Sequence, residues 1–123
     1  MRWVTCLLLA AALAACGSED DNQDEDPKDL PEVDCSETVP TFDEVSAFSD
    51  VCTNCHSTGL SGEDRNGAPS RINWDDYQSA QANAEDGAEE VFEGDMPPPG
   101  SGLTLSNAQK QELYLWALCG TPE

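Results

Sequence analysis

The chain has 123 residues, enough for a single domain. Its 25 acidic residues face only 5 basic ones, giving a formal net charge of −20. That charge excludes a nucleic-acid partner, which would demand a basic surface, and suits a soluble protein whose partner carries a basic docking face. The first segment does not read as part of a fold. Arg2 is followed by an apolar stretch from Trp3 to Leu13 and then by small residues. A charged start, a short apolar run and a small-residue cleavage point define a secretory signal.

The segment Leu13-Ala14-Ala15-Cys16 resembles the lipobox of bacterial lipoproteins. The resemblance implies cleavage before Cys16 and acylation of its thiol, with residues 1–15 as the signal peptide. Several buried acyl chains anchor stably, at about 0.8 kcal/mol per CH₂. The protein is then expected outside the cytoplasm, lipid-anchored to a bacterial membrane. Gly17 stands where some bacteria place a retention Asp, which weighs towards the outer membrane. Residues 16–34 read as an acidic, disordered tether. From Glu19 to Asp34 nine of sixteen residues are acidic, with Pro27 and Pro31 among them. Such a segment buries too little apolar surface to offset its ordering entropy, and like charges extend it.

Residues 35–123 are expected to form the domain, all-α, with three to four helices. A capping box at Thr41-Phe42-Asp43-Glu44 starts the first helix. Phe42, Val45, Phe48, Val51 and Cys52 then recur at spacings of three and four, forming one apolar face. The second helix is expected after Asn73, carrying Trp74, Tyr77 and Ala80 or Ala84 on one side. Gly87 is expected to break it before a short turn through Val91 and Phe92. Ser106 and Gln109 form a second capping box, ahead of a last helix bearing Leu113, Trp116 and Ala117 on one side. Gly120 is its stop signal. Gly- and Pro-rich loops span residues 59–69 and 95–102.

The first apolar face leads into Cys52-Thr53-Asn54-Cys55-His56, the attachment pattern for c-type haem. The two thiols, three residues apart, can reach the two vinyl groups of one porphyrin. The adjacent imidazole can then sit beneath the iron. A dithiol redox site, half of a zinc site and a short disulfide use the same residues, but no βαβ pattern surrounds them and so short a disulfide loop at a helix end would be strained. Downstream of the signal there is one His and one Met. Ligation by two histidines of this chain is therefore impossible, and Met96 is the candidate sixth ligand. It sits in Gly94-Asp95-Met96-Pro97-Pro98-Pro99-Gly100, where prolines stiffen the backbone.

On these motifs the region 42–118 resembles class I bacterial cytochromes c. The resemblance implies one covalent haem c, with Cys52 and Cys55 as thioethers and His56 and Met96 as axial ligands. It implies terminal helices that cross, with Phe48 and either Tyr114 or Trp116 as the packed aromatics. The family often has Gly where this chain has Glu44. The resemblance also implies that the Pro69 carbonyl accepts the His56 Nδ1 proton. It makes Trp74 a candidate for a propionate contact, and Arg71 and Arg65 are candidates too because the chain has few other cations. Because the ends of such a fold meet, Cys35 and Cys119 are expected to form a disulfide worth about 4 kcal/mol in the chain-entropy account.

The function these residues imply is a membrane-tethered electron carrier serving redox partner proteins, not an enzyme. The alternatives are a haem protein with an open sixth site, acting as a peroxidase or a gas or redox sensor, and a non-shuttling haem subunit of a larger complex.

Overall fold

The computed structural model describes residues 29–123. Cys16, the signal and most of the tether lie outside the described residues. The described part is helical and contains no strand. Its helices are α1 (Ser46–Asp50), α2 (Tyr77–Ala82), α3 (Ala84–Glu93) and α4 (Asn107–Leu118).

Helix α4 is the axis of the fold. Its start is the expected capping box: Ser106 Oγ accepts from Gln109 N at 3.2 Å, and Gln109 Oε1 accepts from Ser106 N at 3.0 Å. Leu113 through Ala117 are all buried, so this part of the helix is enclosed on every side. Helices α1 and α3 both lie against it. Gly120, at φ +99°, turns the chain back. The returning tail is tied down: the Pro122 carbonyl accepts from Phe42 N and Trp116 Nε1, and the Thr121 carbonyl from the Tyr77 hydroxyl.

The first expected helix is present in three pieces. A 3-10 turn at Phe42–Glu44 carries the Thr41/Glu44 capping box. Val45 is extended, and α1 begins after it. A second 3-10 turn covers Cys52–Asn54. The break at Val45 has a tertiary partner. Ser46 N and Oγ, at the start of α1, both donate to Glu112 Oε2 on α4, at 3.1 and 2.7 Å. Glu44 itself is used locally, accepting from Thr41 N and Oγ1.

Two boundaries differ from expectation. Helix α2 begins at Tyr77, where Asp76 accepts from Ser79 N at 2.8 Å as its cap. Trp74 therefore lies before the helix. The break between α2 and α3 falls at Asn83, and Gly87 lies inside α3. A Cβ on Gly87 would sit 2.5 Å from Trp74 Cζ2 and Cη2. Gly87 is there because the indole packs against the helix backbone.

The core is an aromatic stack. Phe48 lies parallel to Trp74 at 4.9 Å and edge-on to Trp116 at 5.1 Å. Trp116, rather than Tyr114, opposes Phe48; Tyr114 meets Phe92 at 6.3 Å. The Cys35–Cys119 disulfide is formed, with the Cα atoms 5.4 Å apart and the residues 84 apart in sequence. Leu30 and Val33 already pack against the core, so packing begins ahead of Cys35. Among the described residues no helix is long and apolar enough to cross a membrane.

Candidate functional site

A cavity of about 1000 Å³ opens between the Cys52–Asn54 turn, α3, the loop 66–72 and the loop 96–105. That is the upper end of the range for small-molecule sites. Cys52, Cys55, His56 and Met96 all line it, as do Pro69, Arg71 and Trp74. Val51, Ile72, Leu103 and Leu105 supply apolar wall, and Asp86, Glu89 and Glu90 an acidic rim.

The Cys52–His56 segment is held by its own spacer residues. Thr53 Oγ1 donates to the Ser49 carbonyl, and Asn54 Nδ2 to the Asp50 and Val51 carbonyls, each at 3.0 Å. His56 N donates to the Cys52 carbonyl at 2.9 Å, closing the turn. Both thiols are free. Burial, reinforced by the neighbouring Cys55, pushes the Cys52 thiol up to about 12 against an opposing hydrogen bond from its own backbone. A dithiol redox centre needs the reverse, a thiol poised to ionise. Asn66, in the left-handed conformation at φ 51°, brings Nδ2 to 3.5 Å from Cys55 Sγ. A zinc site would need further donors, and among the described residues no three His, Cys, Asp or Glu side chains come together as a ligand set.

His56 is half-buried. Burial holds its imidazole below the usual pKa; the Ile72 carbonyl opposes this and the Arg65 charge reinforces it. At neutral pH the ring is neutral, the form that ligates metal. Nδ1 lies 3.3 Å from the Ile72 carbonyl oxygen. This corrects the expected role of Pro69, whose carbonyl instead accepts from Arg65 Nη2 at 2.7 Å. The tight turn in which Ile72 N donates to the Pro69 carbonyl swings the later carbonyl towards His56. No local pattern marks Ile72, because its role is main-chain and depends on that turn.

Arg65 is corrected too. It is 4 % exposed, and its guanidinium donates to the carbonyls of the surrounding loop and to Asn73 Oδ1. No donor remains for a propionate. Arg71 is exposed and lines the cavity, and Trp74 lines it while stacked on Phe48. Met96 is half-buried against the core and hangs from the end of α3, where the Glu90 carbonyl accepts from both Asp95 N and Met96 N. Gly94, at φ +88°, makes that hairpin end possible.

The donors fit a covalent haem in kind. Two unpaired thiols, a neutral imidazole with an acceptor behind its second nitrogen, and a thioether share one largely apolar chamber. Comparison with protein-family models, with curated proteins and with solved structures finds no match.

Proposed function

We propose that this protein is an electron carrier built on one haem c, attached at Cys52 and Cys55, with His56 and Met96 as the axial ligands. One observation carries the reading. The chain's one His and its one Met beyond the N-terminal segment lie forty residues apart, yet they line the same chamber as the two free thiols. When bound, the haem supplies reversible one-electron chemistry. With His56 and Met96 both bound to its iron, the group would have no position left for a substrate. Val51, Ile72, Leu103 and Leu105, which line the chamber, would keep water from the bound group. The thioether favours a higher potential than a second imidazole would.

Cys16 carries the acyl anchor in this reading, and the acidic segment before Leu30 spaces the domain from the membrane. The exposed acidic rim suits a redox partner with a basic face. Mass spectrometry of the mature protein tests covalent haem and acylation together. The oxidised spectrum is expected to contain the weak long-wavelength charge-transfer band of thioether-ligated iron. Met96→Ala should abolish it and lower the potential. Rapid CO binding by the reduced wild type, with no such band, would refute the carrier in favour of an open-site peroxidase or sensor.

A further inference from the structure

Arg65 presents an unusual arrangement. A buried charge is costly unless it is compensated, and among the described residues this one bonds no carboxylate. Its Nε donates to the Ala68 carbonyl at 3.1 Å. Its Nη1 donates to the Ser57 carbonyl at 2.6 Å and to Asn73 Oδ1 at 3.0 Å. Its Nη2 donates to the Pro69 and Ile72 carbonyls at 2.7 and 2.9 Å. The guanidinium thus gathers the main chain of the loop that follows His56.

The Ile72 oxygen is the point of interest, because it faces two donors. Arg65 Nη2 reaches it at 2.9 Å and His56 Nδ1 lies 3.3 Å away. A carbonyl oxygen has two lone pairs and can accept both, but the charge-assisted bond is the shorter and stronger. An acceptor behind the second nitrogen of a ligating His raises the basicity of the ring. A carbonyl already drawn towards a guanidinium does this less.

We propose that Arg65 is a positioning residue for the axial ligand: by sharing the Ile72 carbonyl it orients His56 and limits how strongly the imidazole donates to iron. The proposal rests on the haem reading above. A weaker donor stabilises the oxidised iron less, and a fixed buried cation nearby acts in the same direction. Both raise the potential.

The test is a potentiometric titration of the purified haem-loaded protein. Arg65→Gln is expected to lower the potential by a tenfold or larger shift in the one-electron equilibrium, about 59 mV, with the thioether charge-transfer band intact. Arg65→Lys keeps the charge but presents a point donor in place of the fork, and should fall between the two. An Arg65→Gln potential within about twofold of wild type would overturn the proposal. Should neither variant fold, wild-type protein labelled with ¹³C and ¹⁵N decides. Scalar couplings through the hydrogen bonds should connect the Ile72 carbonyl carbon to both Arg65 Nη2 and His56 Nδ1, and absence of either refutes the shared acceptor. Wild type lacking covalent haem sinks the carrier reading and this proposal together; a loaded wild type with an unmoved variant sinks only the role of Arg65.

Discussion

Replacing Gly87 by Ala sets two effects of similar size against each other. Inside an exposed helix the change would stabilise by about 1 kcal/mol through backbone entropy alone. Gly87 has ordinary helical backbone, so no strain at a positive φ opposes it. The new Cβ, however, would lie 2.5 Å from two indole carbons of Trp74. Carbon pairs settle at about 3.5–4.0 Å, so the groups must part by at least about 1 Å. The indole cannot simply recede, since it is 6 % exposed and its ring is stacked 4.9 Å from Phe48. Overpacking of this kind costs about 1–3 kcal/mol. The net expectation is a loss of about 1 kcal/mol, between zero and about 2. Urea denaturation of the single variants and of Gly87→Ala with Trp74→Phe measures it. In the Phe background the benzo carbons are gone, and the Ala substitution should turn mildly stabilising. Gly87→Ala stabilising the wild type, or the same effect in both backgrounds to within about 0.5 kcal/mol, would refute the reasoning.

Three further outcomes are expected. Substituting Ser for both Cys35 and Cys119 should cost about 4 kcal/mol, because the bridge closes nearly the whole domain; a loss under about 1 kcal/mol in denaturant would show that the packed ends suffice without it. Asp75 is raised by slight burial but more strongly lowered by hydrogen bonds from Ser57 and Thr58, for a net depressed pKa. Its stabilisation is therefore complete above about pH 4 and lost as the pH falls through the folded value, so Asp75→Asn should flatten the acid limb of the stability curve, and an unchanged limb would count against it. Glu90 is raised, first by burial and then by repulsion from Asp95, Glu93, Glu89 and Asp86. Glu90→Gln should raise the melting temperature at neutral pH, and the part of that gain due to the neighbouring carboxylates should shrink in high salt while the part due to burial stays; no gain at any salt concentration would refute it.

Most interactions legible in the sequence are closed within four residues; the Cys35–Cys119 disulfide, 84 residues apart, follows from the family resemblance instead. Both capping boxes are of the local kind, since Thr41 with Glu44 and Ser106 with Gln109 meet wherever the chain turns helical. The turn from Cys52 to His56 is local as well, held by bonds from Thr53 and Asn54 to the preceding carbonyls. Met96 stands out by arithmetic, being the lone thioether downstream of the signal. Gly87 misleads for the opposite reason. Read locally it breaks a helix, but it is kept inside one by an indole thirteen residues earlier in the chain.

The sequence by itself determined the helical class, the two capping boxes and the set of thiols, imidazole and thioether. Only the tertiary structure decided that Cys52, Cys55, His56 and Met96 share one chamber, that Trp116 rather than Tyr114 meets Phe48, and that Ile72 rather than Pro69 faces His56. The physical reason is the reach of each interaction. A cap or a turn is specified by neighbours and survives in any context. Which carbonyls a buried guanidinium takes, and which of them it shares with an imidazole, depends on how the loop between His56 and Ile72 closes around Arg65.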